Sequence, residues 1–243
     1  MINITTANAI ATITLPDCQP LSLHDLDFGH ALRDAVRDAA DSDDIKAIVI
    51  RASGAHFSTA VAHGAPGEHG RPNAADWHAV YAAASGLYQN LCFCKKVVIT
   101  AVQGQCADAG SLLVLCSDLT VGAHDASFAS PFDRLPEANL VLAALTMRLN
   151  RAKSWMLGGH ALSARQACDA GLINRIAEPG ALDAVAQKMA RAVTRMPLDG
   201  IAMSKINVET SLDAQGVGRE FDMAGFYAER LWRIQNEAAE AAQ

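Results

Sequence analysis

Gly159-His160-Ala161-Leu162-Ser163-Ala164-Arg165-Gln166-Ala167, followed three residues later by Gly171-Leu172-Ile173-Asn174-Arg175-Ile176, reads as a short helix closed at both ends and then a short strand. Ser163 and Gln166 stand three apart, the spacing at which each side chain satisfies the other residue's free backbone N–H. Gly171 supplies the left-handed residue that ends many helices. The spacing therefore predicts a helix over Arg165–Ala170. Ile173–Ile176, two isoleucines flanking Asn174 and Arg175, interrupts the helical pattern and reads as a strand.

Working outward, strand and helix signals alternate on the N-terminal side. Leu140–Leu149 and Lys153–Leu157 read as helical, Leu119–Gly122 as a strand, Ala109–Cys116 as a buried helix and Val97–Val102 as a strand apolar on both faces. Before them, Trp77, Val80, Tyr81, Ala84, Leu87, Tyr88 and Leu91 repeat at three and four, an amphipathic helix. His56–Asn73 is crowded with Gly, Pro and His and reads as an irregular loop. Ile45–Ile50 is a short buried strand, preceded by a helix over His24–Ala40 with Phe28, Leu32, Ala35, Val36 and Ala39 on one stripe. Ala9–Leu15 alternates as a strand and Pro16 ends it. On the C-terminal side, Leu182, Val185, Ala186, Met189, Val193 and Met196 mark a clear helix, and Gly218–Gln243 carries further helical turns. This order predicts an α/β fold of successive ββα turns over residues 1–180 and a helical segment over 181–243.

Composition narrows the functions. With 51% hydrophobic and 19% charged residues the chain can fold almost throughout, and a net charge of −6 offers no basic face for nucleic acid. No apolar run reaches a membrane-spanning length of about 18 residues. Met1-Ile2-Asn3-Ile4-Thr5 lacks the basic flank and apolar core of a secretory signal, so the expected compartment is the cytoplasm. Cys18, Cys92, Cys94, Cys106, Cys116 and Cys168 show no metal-finger spacing, several sit inside apolar runs, and they read as reduced thiols.

Two segments can present bare backbone amides: His56-Phe57-Ser58-Thr59-Ala60-Val61 after a buried strand, and Gly104-Gln105-Cys106-Ala107-Asp108-Ala109-Gly110 between a strand and a helix. Amides at a helix start can hold a developing oxyanion, though an ordinary tight turn would look the same. The order of the segments resembles the crotonase superfamily, that is, the enoyl-CoA hydratase/isomerase family. Gly54 through Ala62 is similar to that family's Gly-x-x-Phe-Cys-Ala-Gly-Ala-Asp, and Lys96 through Leu112 keeps the spacing of its Lys-Pro-x-x-x-Ala-x-x-Gly-x-x-x-Gly-Gly-Gly-x-Glu. Cys116-Ser117-Asp118-Leu119, Ala126-Ser127-Phe128-Ala129-Ser130-Pro131 and the opening stretch Gly159–Ile176 continue the likeness, which covers roughly residues 1–210.

The resemblance implies a spiral of ββα turns, assembled as a homotrimer or hexamer, that holds an acyl-CoA or acyl-carrier thioester. Its oxygen would sit between the amides of Val61 and Ala109, with Ala60, Gly110, Leu112, Phe132 and His63 along the pocket. CoA is the carried group, so neither a metal nor a separate cofactor is implied.

The same resemblance shows departures. Hydratases of the family use two glutamates, and the matching positions hold Leu112 and Phe132, neither of which transfers protons. Hydration by that route is excluded, which leaves a lyase-type or other enolate-forming reaction, or a silent acyl-CoA binding protein. Asp108 and Ala109 replace two family glycines and Ala60 a third. Asp108 is either a proton-transfer group or an N-cap of the following helix, and Asp133 and Glu137 are either substitutes for the second glutamate or solvated carboxylates. His63 and His69 lie in the loop bordering the acyl pocket, with spacing too irregular for a metal site.

Overall fold

The computed structural model describes residues 2–16, 26–59, 86–132 and 139–223, with residues 226, 230 and 233. Asn3–Ala7 (β1) and Ile10–Leu15 (β2) form a hairpin. Its two turn residues, Asn8 and Ala9, both have positive φ, the geometry that matches strand twist. Ala9 thus belongs to the turn, one residue outside the strand expected from Ala9. β1 carries no alternation because all five of its residues are exposed at the sheet edge, and its periodicity left no signal to read.

Leu26–Asp41 (α1) leads into Ala47–Ala52 (β3), and a helix that includes residues 86–92 (α2) leads into Val97–Val102 (β4). Next come Gln105–Cys106 (β5), Ala109–Cys116 (α3), Leu119–Ala123 (β6) and Ser127–Phe128 (β7). Leu140–Thr146 (α4), Leu149–Gly158 (α5), Leu162–Ser163 (β8), Ala164–Ala170 (α6) and Arg175–Ala177 (β9) follow. Leu182–Thr194 (α7), Leu198–Ala214 (α8) and a helical stretch over 217–223 (α9) complete the described chain. The Ser163–Gln166 box forms in both directions, and Gly171 closes α6 at φ 92°.

The main sheet runs β1-β2-β3-β4-β6-β9, parallel except for the β1–β2 pair. A parallel sheet must be covered on both faces, and the strands divide accordingly. Ile48, Ile50, Val98 and Val102 enter the large core with α1 and α3, whereas Ala47, Val49, Ile99, Ala101 and Val121 face α7 through Ala186 and Ala190. Arg51 of β3 pairs with Asp183, and Lys46 Nζ donates to the carbonyl of Met196 at 2.8 Å, tying both ends of α7 to the sheet. The amphipathic stripe of Leu182–Met196 is therefore spent inside the chain, against the sheet. α8 falls within the helical segment expected over 181–243, but its bounds were not read: only Ile201 and Lys205 of its residues are buried, so no stripe marks it.

β5, β7 and β8 form a second, three-stranded sheet of two-residue strands. It holds the segment that turns from β5 into α3.

Candidate functional site

The site is built where the chain leaving β3 runs beside the chain leaving β4. Phe57 N–H donates to the carbonyls of Gln103 (2.8 Å) and Gln105 (3.0 Å), and Ser58 N–H to that of Gln105 (3.0 Å). Gly104 permits the approach: at φ 55°, a Cβ there would lie 2.3 Å from the Ala55 carbonyl oxygen. Beyond Cys106 the chain makes a tight turn, Ala107-Asp108-Ala109-Gly110, closed by Gly110 N–H donating to the Ala107 carbonyl at 3.0 Å.

Asp108 has φ 47° and ψ −120°, the values of the first central residue of a type II′ turn, normally glycine. Holding a side chain there costs about 1–3 kcal/mol. Its ψ sets the orientation of the peptide carrying the Ala109 N–H, the first amide of α3. Asp108 O receives the N–H of Ser111 and of Leu112, so the helix ladder begins beyond Ala109. An amide that opens a buried helix is suited to a negative oxygen. Asp108 occupies the N-cap position but makes no side-chain cap bond, so it is not the capping residue its position suggested. Its side chain is buried at 5% exposure.

The neighbours are held in place by buried hydroxyls. Ser58 Oγ accepts from Ala107 N–H (3.0 Å) and donates to its carbonyl (2.9 Å). Ser111 Oγ lies 2.7 Å from the Ala129 carbonyl and 3.2 Å from that of Cys106, joining α3 to the end of β7. Gly110 must be glycine, since a Cβ would lie 1.9 Å from Ser58 Oγ. Burial pushes the Cys106 thiol up to about 12, which leaves it protonated and without nucleophilic use.

Of the residues singled out in the sequence, Asp108, Ala109, Gly110 and Leu112 come together, and all four are buried. Leu112 belongs to the main core. Phe132 is half-buried, its ring edge-on to Trp155 with centroids 5.8 Å apart, and Trp155 in turn donates to the Phe128 carbonyl at 3.1 Å. Ala60, Val61, His63, His69, Asp133 and Glu137 lie outside the described residues. Ser58 and Ser111 were missed, because a single serine in an apolar run carries no periodic signal and its partners lie elsewhere in the chain. A groove of about 710 Å³ between α1, α2 and α9 is lined by Arg37, Asp41, Lys95 and Arg219 among others. It holds none of these residues, and its Lys95 and Asp41 pair with each other at 3.0 Å.

The sequence matches the pattern of one family over residues 5–228, described as Enoyl-CoA hydratase/isomerase. The chain belongs to the enoyl-CoA hydratase/isomerase family. Its likeness to the 1,2-epoxyphenylacetyl-CoA isomerase of Escherichia coli (strain K12) is 33% identity over 124 residues, 49% of this chain and 47% of that protein. Against the mitochondrial enoyl-CoA hydratase domain-containing protein 3 of Homo sapiens it is 28% over 208 residues, 82% of this chain and 61% of that protein. The chain thus spans about half the length of the curated relatives it matches. A probable enoyl-CoA hydratase from Mycobacterium smegmatis superposes with a TM-score of 0.79 at 26% identity, covering 94% of this chain and 93% of that one. The solved structure shares the fold of this chain over nearly its whole length.

Proposed function

We propose that this chain binds an acyl-CoA or acyl-carrier thioester, with the thioester oxygen at the amides of Ala109 and Val61, and promotes an enolate-forming reaction of lyase type. The observation that carries this reading is the turn at Asp108: a non-glycine residue kept in a glycine conformation where it orients the first amide of a buried helix. Developing negative charge on the thioester oxygen would be stabilised there without a metal or a separate cofactor. Two relatives named for CoA esters, the isomerase above and a mevalonyl-coenzyme A hydratase, support the substrate class. Asp108 is the buried carboxylate on that turn and the first candidate for proton transfer, with Asp133 as the second. The second reading, a silent acyl-CoA binding protein, is favoured by the packing of Leu112 into the core and of Phe132 on Trp155.

Calorimetry with a panel of acyl-CoA esters and the matching free acids tests the ligand. The esters are expected to bind at least about tenfold more tightly. Equal affinity, or no binding of any ester, would remove the reading. Scoring the same panel for turnover separates enzyme from binder.

Met203 and Ile206 stand three apart on α8 and are 58% and 47% exposed, a pair of neighbouring apolar side chains that another subunit could cover. This supports a homotrimer or hexamer. Sedimentation at micromolar concentration is expected to show no monomer, and a stable monomer would overturn the assembly.

A further inference from the structure

The two segments that form the turn are joined by side chains at alternate positions. Gln103 Nε2 donates to the carbonyls of Ala52 (3.0 Å) and Gly54 (2.8 Å) at the end of β3. Gln105 N–H donates to His56 Nδ1 at 3.0 Å. Two residues further along both segments, Ser58 Oγ makes its paired bonds to Ala107. Side chains here continue a ladder that the backbone begins at Phe57, and the last rung falls on Ala107, whose carbonyl also closes the turn through Gly110.

The His56 bond is informative about the ring. A backbone N–H can only donate, so Nδ1 must be the bare nitrogen and the imidazole proton must sit on Nε2. The fit is tight, since a Cβ on Gly104 would lie 2.4 Å from His56 Nδ1. Glycine at 104 beside His56 and glycine at 110 beside Ser58 leave each rung just the room it occupies.

We propose that His56 and Ser58 are positioning residues that hold the Ala109 amide at the angle a thioester oxygen requires. The inference rests on the thioester reading above. Neither side chain needs to touch the ligand. Each fixes one backbone unit of the second segment, Gln105 and Ala107, and the orientation of the next peptides follows through the strained ψ of Asp108.

The test uses hexanoyl-CoA labelled with ¹³C at its carbonyl, with free CoA as reference. Two quantities are read: the affinity ratio of the ester over free CoA, and the lowering of the ester C=O stretch on binding, which reports a hydrogen bond to that oxygen. His56→Ala and Ser58→Ala are expected to bind free CoA within about twofold of the parent protein, lose about tenfold of the ester's advantage and lose most of the infrared shift. His56→Asn puts an acceptor oxygen where Nδ1 was and is expected to keep both. His56→Gln moves the acceptor one carbon outward and is expected to lose both. If His56→Ala fails to fold, the Asn and Gln variants decide between them. Retention of shift and ratio in Ala or Gln variants would overturn the proposal. Absence of both in the parent protein would instead show that the thioester reading itself has failed.

Discussion

Crotonyl-CoA and longer 2-enoyl-CoA esters are expected to remain unhydrated by the purified protein, at a rate at least about 10⁴-fold below that of a two-glutamate hydratase. Each proton-transfer group in such a reaction contributes roughly 10²–10⁴-fold. By resemblance, the positions of both groups hold Leu112 and Phe132. The structure makes a local rescue hard for either. Leu112 is 2% exposed within the core, and Phe132 is set against Trp155. A hydrogen-bonded thioester oxygen would still be polarised, but water would have no base and the α-carbon no acid at those positions. Loss of the ultraviolet absorbance of the conjugated 2-enoyl thioester follows the reaction. Brisk hydration would mean that another carboxylate has taken over. Alanine at Asp108, Asp133 and Glu137 in turn would identify it, and unchanged rates in all three would place the chemistry elsewhere.

Replacing Lys205 by methionine is expected to destabilise the protein by about 3 kcal/mol, near the lower end of what a broken buried ion pair costs. Lys205 of α8 reaches Asp118 in the turn between α3 and β6; their side chains are 7% and 22% exposed. The other Asp118 oxygen accepts the Val98 N–H at 2.8 Å, so this carboxylate fixes the start of β4 as well. Methionine keeps the apolar stem and removes only the charge, leaving Asp118 without its counter-ion. Burial already raises the Asp118 carboxyl, with Lys205 opposing the rise; without Lys205 it climbs further. A carboxyl raised in the folded state stabilises it below the unfolded value of roughly 3.9 and loses that contribution as pH climbs through the folded value. The variant's deficit is therefore expected to be smaller at pH 5 than at pH 7.5 in urea unfolding. A second change, Asp118→Asn, should recover part of the loss. Equal deficits at both pH values, or no recovery in the double variant, would show that packing rather than charge accounts for the effect.

Local rules explain what could be read from this chain directly. The span of β4 over Val97–Val102 and of α3 over Ala109–Cys116 follows from apolar runs of the length of each element. The ends of α6 follow from Ser163, Gln166 and Gly171, because capping needs only residues within one turn of each other. The motif order that carries the family likeness is likewise a property of spacing alone. β1 and the bounds of α8 went unread for the complementary reason. One is wholly exposed and the other buries only Ile201 and Lys205, so neither leaves a periodic stripe, and it is burial that writes such stripes into a sequence.

The candidate site divides along the same line. The sequence by itself determined that a turn of small residues enters a helix at Asp108 and Ala109, and that leucine and phenylalanine stand at positions 112 and 132. Only the tertiary structure decided that Asp108 orients the next amide instead of capping the helix, and that His56 and Ser58 each bond to a residue 49 positions away. It also decided that α7 spends its apolar stripe on the sheet, and that Lys205 meets Asp118 across 87 residues. Hydrogen bonds and ion pairs of that separation depend on which loops the parallel sheet brings side by side, and a serine or histidine in a loop is compatible with many partners until the strands have chosen their order.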